Sequence, residues 1–369
     1  MRVGVIGGGQ LARMMVPPAV ELGIELRVLA ESADSSARIA AAAVGDYRDA
    51  ATVLAFAREV DVVTFDHEHV PQEVLAALVE AGVAVRPGPA ALAVAQDKIL
   101  MRRRLSAIGA PVPAWAELAD AAALGAFLDA HGGAAVVKTP RGGYDGKGVR
   151  VVRDAHGADD WFEAGGPLLA EELVDFRREL AQLSARRPSG DLAVWPLVET
   201  VQRDGVCAEV TAPAPGLSIA LLDQAAALAE LVSAGLGVTG VLAIELFETR
   251  DGRLLVNELA MRPHNSGHWT IEGSATSQFE QHLRAVLDLP LGDTAPRSPW
   301  SVMVNVLGGP EGGMPARYPA ALAAEPGVGF HSYGKEPRPG RKVGHVTAVG
   351  DDLDAVQGHA RAAARFFQP

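Results

Sequence analysis

Strand and helix signals alternate through the first ~95 residues, and no other feature restricts the fold of this chain as much. Residues 3–6, 26–29 and 60–65 carry short apolar strand patterns, with 83–86 closing the series, while 10–22, 50–59 and 71–81 carry helical periodicity between them. Strands separated by helices pair in parallel, because the crossover returns the chain to the same end of the sheet. The expectation is an α/β chain that opens with a doubly wound parallel domain. Its first turn, Gly7-Gly8-Gly9-Gln10-Leu11-Ala12, fits G-x-G-x-x-A, and Glu31 follows the second strand at about the dinucleotide-binding distance. Two readings stay open: a nicotinamide dinucleotide on the glycines, or glycines that let the helix approach the sheet or bind another ligand.

The turn-forming stretch Arg86-Pro87-Gly88-Pro89 suggests a boundary, giving a first domain over 1–95. Residues 96–295 mix apolar strands at 134–138, 149–152, 168–171, 241–247 and 253–259 with alanine-rich helices. Residues 296–369 carry short strands and many Gly/Pro turns, which suggests a small β-rich C-terminal domain. The alanine runs at 40–43, 121–123 and 225–227 read as helix-forming bias. Two or three domains suit 369 residues of 49% hydrophobic content. The chain shows no basic n-region followed by a cleavable apolar stretch. Its most apolar region, 212–247, is broken by Asp223, Gln224, Glu230 and Glu245, so no membrane partner is expected. The single cysteine, Cys207, rules out an internal disulfide and suits a reducing cytoplasm. A net charge of −12 argues against nucleic acid as a partner and makes any local basic cluster more informative.

The first chemical signal is the hairpin over 243–259. Two apolar strands meet at Asp251-Gly252, a pair that tolerates φ > 0 and favours a two-residue type I′ turn. With that turn the ladder pairs 249 with 254 and 247 with 256, and Glu245 faces Glu258. Facing carboxylates repel, and each loses hydration within an apolar run. A Mg²⁺ ion between them relieves both, its other ligands coming from water and nucleotide phosphates. The alternative is a loop of another length, which shifts the register and leaves both acids at a solvated sheet end.

Lys138 ends an apolar strand and opens a glycine-rich stretch. Gly142, Gly143, Gly146 and Gly148 free backbone N–H groups for phosphates and Lys147 adds charge, a solvated hairpin being the alternative. This is not a Walker A loop, since no Gly-Lys-Ser/Thr follows. Glu171-Glu172-Leu173-Val174 ends another strand, with Glu179 close behind; an adenine edge and ribose hydroxyls could be met there, or the acids are simply solvated. Asp66-His67-Glu68-His69 lies just beyond a strand's carboxyl end, where such sheets bind ligands, and Glu68 is the substrate-contacting choice. Arg262-Pro-His-Asn-Ser-Gly-His268 follows the hairpin; its i, i+4 histidines would suit zinc on a helix, but Pro263 and Gly267 favour a polar loop beside the metal. Lys335, Arg338, Arg341 and Lys342 pack four cations into eight residues shaped by proline and glycine. Such a loop suits one compact anion such as a phosphate monoester, or is a solvated basic turn.

Together with Gln96-Asp97-Lys98 and the opening Gly-Gly-Gly-Gln-Leu-Ala-Arg-Met, these segments resemble the ATP-grasp ligases. Within that class they resemble the biotin-independent N5-carboxyaminoimidazole ribonucleotide synthetases of purine biosynthesis, along the whole chain. The resemblance implies an ATP-grasp fold: an N-terminal α/β domain, a central region with a lid, and a small C-terminal domain. It implies that ATP and bicarbonate form carboxyphosphate, which delivers CO₂ to the exocyclic amine of 5-aminoimidazole ribonucleotide. It places ATP on Lys98, Lys138, the loop Gly143, Tyr144, Asp145, Gly146, Lys147 and Gly148, on Glu171, Glu172, Leu173 and Val174, and on Glu179 and Asn257. Mg²⁺ falls to Glu245 and Glu258, and the carboxyphosphate to Arg262. Tyr144, Asp145, His264, Asn265 and Ser266 would line the imidazole site, Lys335, Arg338 and Arg341 its phosphate. A homodimer is the family's habit.

The chain departs from that pattern in places. Gln202 stands where relatives often carry histidine near the nucleotide, Ala260 where the wider superfamily often has a third metal ligand, and Met261 where proline is usual. The rivals are a formate-dependent glycinamide ribonucleotide transformylase, a biotin carboxylase and, from another class, an NAD-dependent oxidoreductase.

Overall fold

The computed structural model describes residues 1–143 and 148–368. Four parallel strands, β1 (Arg2–Ile6), β2 (Glu25–Ala30), β3 (Ala41–Val44) and β4 (Val62–Phe65), stand in the order β3-β2-β1-β4. Val3, Val5 and Val28 bury one face beneath Leu11 and Met15 of helix α1 (Gln10–Glu21). Ile6, Leu29, Val63 and Phe65 bury the other against Phe56, Leu75 and Leu78. A sheet covered on both faces explains strands that read as continuous apolar runs. The alanine run at 40–43 is a correction: residues 41–44 form the edge strand β3, paired with β2 through Val28↔Ala41 and Leu29↔Ala43. A neighbouring strand end outweighs a helix propensity worth only a fraction of a kcal/mol per residue, ~0.5.

The glycine turn before α1 is closed by the protein's own carboxylates. Asp66 Oδ1 accepts the Ala12 N–H at 2.7 Å and Glu31 Oε2 accepts the Gly8 N–H at 3.0 Å. A Cβ on Gly9 would lie 1.9 Å from Asp66 Oδ2. The N–H groups of Gly8 and Ala12 that a dinucleotide pyrophosphate would use are therefore already taken by the protein's own carboxyl groups. The glycines serve close packing, and the NAD reading falls.

A second sheet of β5 (Trp115–Leu118), β6 (Ala135–Lys138), β7 (Val149–Val152) and β8 (Leu168–Glu172) runs in the order β5-β8-β6-β7, antiparallel throughout. The third sheet is the largest. Its strands are β9 (Phe176–Arg186), β10 (Leu192–Val194), β11 (Val198–Arg203), β12 (Val206–Ala212), β13 (Gly240–Thr249), β14 (Leu254–Ala260), β15 (Trp300–Leu307), β16 (Gly329–Ser332) and β17 (Lys342–Gly350). Their order is β14-β13-β9-β11-β12-β15-β17-β16, with β10 beside β9. The C-terminal strands thus continue the central sheet, joined through Val210↔Met303.

The hairpin β13–β14 differs from its expected turn. Thr249 N–H donates to Arg253 O at 2.9 Å, and Gly252, at φ +81°, donates to Thr249 O at 2.9 Å. The loop therefore has three residues, 250–252, ending in a left-handed glycine. Phe247 pairs with Leu255 and Glu248 with Leu254, so the expected pairs 247/256 and 249/254 do not form. A bulge at Asn257 then restores the register, and Glu245 does face Glu258.

Candidate active site

Two cavities, of about 440 and about 1170 Å³, open between the three sheets. Lys98, Glu245, Glu258, His264, Asn265 and Lys342 border both, so the cavities meet at the facing glutamates. Each glutamate has a protein cation or donor. Lys98 Nζ donates to Glu258 at 2.7 Å, and His264 Nε2 lies 3.1 Å from Glu245 Oε1. His264 Nδ1 accepts from the Ser266 N–H at 3.3 Å, which leaves the ring proton on Nε2, directed at Glu245. Burial would raise the Glu245 carboxyl, but the His264 hydrogen bond holds it below the ordinary carboxylate value. No group of three or more His, Cys, Asp or Glu gathers for a metal among the described residues; the facing pair stands by itself.

The smaller cavity lies between the second and third sheets. Val136, Val149, Phe176 and Phe247 wall it, the two phenylalanine rings stacked at 4.7 Å. A flat apolar slot of this kind suits a planar base. Glu172, Leu173 and Val174 border it where the chain passes from β8 to β9, and Glu179 and Gln202 face it from β9 and β11. Burial, then the Glu245 charge, pushes Glu179 up to about 7. Lys98 is placed by its helix, Lys98–Ala107, which Asp97 caps by accepting the Leu100 N–H at 3.0 Å. Lys138 ends β6 with Nζ 2.6 Å from Glu171 and 3.4 Å from the Asn257 Oδ1.

Glu171 is 3% exposed and is gripped by Lys138 and by the fully buried Arg102, whose Nη2 also donates to Asn257 O at 2.6 Å. Those two cations overcome burial and hold Glu171 below its ordinary value. Arg102 was not singled out in the sequence. Its signal is the i, i+4 spacing from Lys98, which puts both on one helix face. Gly143 borders both cavities and Gly148, at φ +69°, follows; Tyr144, Asp145, Gly146 and Lys147 lie outside the described residues.

The larger cavity is lined by Glu68, Arg262, Lys335, Arg338, Arg341 and Lys342. Arg262 Nε donates to Glu68 at 2.7 Å, and that cation outweighs burial in keeping Glu68 below the usual range. The sequence reading gave these two residues separate roles; the fold makes them one pair. Lys335 donates to Gln10 at the start of α1, so the basic turn closes against the first domain. Asn265 and Asn305 of β15 exchange amide hydrogen bonds at 3.0 and 2.6 Å. Ser266 differs from its expected place: it is 1% exposed, borders neither cavity and bonds His264 Nδ1 at 2.9 Å. Asn305 gave no sequence signal, since it reaches the site only through strand pairing.

Comparison with known proteins agrees with this geometry. Residues 103–279 match the model of the ATP-grasp domain, 1–96 a ribonucleotide synthetase preATP-grasp domain, and 301–359 a phosphoribosylaminoimidazole carboxylase C-terminal domain. Fold and site define an ATP-grasp ligase. A Mycobacterium bovis N5-carboxyaminoimidazole ribonucleotide synthase is 51% identical, covering 99% of this chain and 87% of the relative. The Thermus thermophilus synthetase superposes with TM-score 0.89 at 39% identity, over 99% of this chain and 98% of that one. The Aspergillus clavatus synthase, solved with ADP and 5-aminoimidazole ribonucleotide, gives TM-score 0.89 at 32% identity, over 99% and 98%. The chain belongs to the N5-carboxyaminoimidazole ribonucleotide synthases.

Proposed function

We propose that this protein carboxylates the exocyclic amine of 5-aminoimidazole ribonucleotide at the expense of ATP and bicarbonate, within de novo purine biosynthesis. The meeting of the two cavities at Glu245 and Glu258 carries this reading. A nucleotide seated in the smaller cavity presents its terminal phosphate to an acceptor in the larger one. Bicarbonate oxygen takes the γ-phosphoryl group and ADP leaves. The C–O bond of the resulting carboxyphosphate then breaks, phosphate departs, and the amine nitrogen bonds to the released CO₂ and loses a proton. Positioning and charge suffice, without a protein nucleophile.

Lys98, Lys138 and the glycine loop Gly143–Gly148 serve the triphosphate, Glu172, Leu173 and Val174 the base, and Glu179 and Gln202 the rest of the nucleoside. Glu171 and Asn257 hold Lys138 toward it. Arg262 stabilises the carboxyphosphate, and Glu68 is its counter-ion within the protein. His264 and Asn265 lie at the junction, and Ser266 fixes the His264 tautomer. By resemblance, Tyr144 and Asp145 join them around the imidazole. Lys335, Arg338 and Arg341 receive the 5′-phosphate.

Mg²⁺ fits Glu245 and Glu258: two hard oxygen ligands face each other, Glu258 paired with Lys98 and Glu245 hydrogen-bonded by His264, and both partners can be exchanged. The ion would supply charge neutralisation for the phosphates there. A homodimer and a cytoplasmic location complete the reading; no helix among the described residues is long and apolar enough to cross a membrane.

The test is ADP release with each acceptor in turn. It should require 5-aminoimidazole ribonucleotide and rise with bicarbonate. Formate replacing bicarbonate, or biotin replacing the ribonucleotide, would assign the site to a rival ligase.

A further inference from the structure

Asn305 of β15 is 6% exposed, and both N–H groups of its amide are engaged. Its Nδ2 lies 2.8 Å from the Cys207 carbonyl, which can only accept, so the NH₂ end of this amide is the end at β12. The same NH₂ donates to Asn265 Oδ1 at 2.6 Å, and Asn305 Oδ1 accepts from Asn265 Nδ2 at 3.0 Å. Turning either amide over breaks the set. Asn305 reversed puts its oxygen against the Cys207 carbonyl; Asn265 reversed puts oxygen against oxygen and NH₂ against NH₂. One backbone carbonyl therefore decides which way the Asn265 amide points.

The main chain around Asn265 is fixed as well. The buried Gln278 accepts the His264 N–H and donates to His264 O, both at 2.8 Å, and the His268 N–H donates to Asn265 O at 3.1 Å. What the loop leaves unfixed is the rotation of the Asn265 amide, a broad, roughly two-fold torsion whose halves exchange donor for acceptor. Asn265 borders both cavities; its amide commits one N–H and one oxygen lone pair to Asn305, and one of each is left over. For a ligand at the junction, a reversed amide meets donor with donor or acceptor with acceptor, which costs more than a missing bond. We propose that Asn305 is a positioning residue of the ribonucleotide site, acting through Asn265 by holding that amide in the one orientation that serves the bound ribonucleotide. The inference rests on the function proposed above and on the place given there to Asn265.

Wild-type enzyme is assayed first for ribonucleotide-dependent ADP release; its absence would overturn the functional reading and this inference with it. Given that activity, Asn265→Ala should raise the ribonucleotide KM. An unchanged value would withdraw Asn265 from the site and end the inference, while the ligase reading stands. Asn305→Ala should raise the ribonucleotide KM by about fivefold to tenfold and leave the ATP KM within about twofold. The two losses should not multiply: with Asn265 already truncated, Asn305→Ala should change the ribonucleotide KM by less than about twofold. A contact that merely braces β12 against β15 predicts otherwise. It would raise both KM values together, or act undiminished without the Asn265 amide, and either result overturns the proposal, as does an unchanged ribonucleotide KM in Asn305→Ala. Asn305→Asp keeps the size and the acceptor but has no N–H for Cys207 O or Asn265 Oδ1, so it should behave as Asn305→Ala in the same cycle. If the alanine variant does not fold, Asn305→Asp decides alone: a wild-type ribonucleotide KM there overturns the assignment.

Discussion

Three cations of the site rest on carboxylates: Lys98 on Glu258, Lys138 on Glu171, Arg262 on Glu68. An acidic chain can in this way store concentrated positive charge without self-repulsion, and release it when phosphates arrive. Facing glutamates repel; the Lys98 cation on Glu258 offsets that repulsion, and the His264 N–H hydrogen-bonds Glu245. Glu258→Gln should therefore cost turnover at least about a hundredfold. Its melting stability should stay within about 0.5 kcal/mol, because the lost pair is partly solvated. Steady-state ADP release and a thermal melt check both halves, and near-normal turnover would remove Glu258 from the metal site. Charged residues at strand ends were legible because burying them without a task is costly. Arg102, Gln278 and Asn305 were harder to see: their partners lie 69, 14 and 40 positions away and are set by the fold alone.

The apolar hairpin strands and the alternating first domain announced themselves through periodicity. Strand β9 did not. Its residues, Phe-Arg-Arg-Glu-Leu-Ala-Gln-Leu-Ser-Ala-Arg, include many good helix formers, yet it sits between β13 and β11 and pairs along its length. Neighbours on both sides satisfy its backbone and override propensity. The hairpin shows a subtler miss, in which a longer turn and a bulge offset one another and leave the facing pair as expected. Gly148 at the end of the glycine loop is legible in both senses. Its φ of +69° admits few other residues, and a Cβ would come within 2.4 Å of Thr139 Oγ1. Because Thr139 N–H also bonds Gly148 O at 3.0 Å, strain there reaches the end of β6 and Lys138. Gly148→Ala should raise the ATP KM by about fivefold to tenfold with a small change in melting temperature. Parallel KM measurements for both substrates test this, and a selective effect on the ribonucleotide would contradict it.

At the scale of the molecule, His282 joins the first domain to the large sheet. Its Nδ1 accepts the Val241 N–H at 3.0 Å, so its Nε2–H donates to Thr64 Oγ1, 2.8 Å away on β4. Burial pushes it down from 6.5 to about 3, so the unfolded chain takes up the proton first as pH falls. The stability it contributes is complete above pH 6.5 and is lost progressively toward pH 3, at about 1.4 kcal/mol per pH unit below ~6. Urea unfolding between pH 6.5 and 4.5 should show this loss, and His282→Gln should flatten the slope by one proton; an unchanged slope would refute the role. The large sheet has a consequence of its own. Glu245 on β13 and Lys342 on β17 border the same cavities although β9, β11, β12 and β15 separate their strands. Laid flat, five strand spacings would hold them ~24 Å apart. The sheet must curl until these strands look at one another, and the two cavities open in the hollow of that arc. An inserted residue in any intervening strand would alter the curvature and shift one wall of the cavities relative to the other. Insertions should therefore be tolerated in the loops of this protein far more readily than anywhere along the arc.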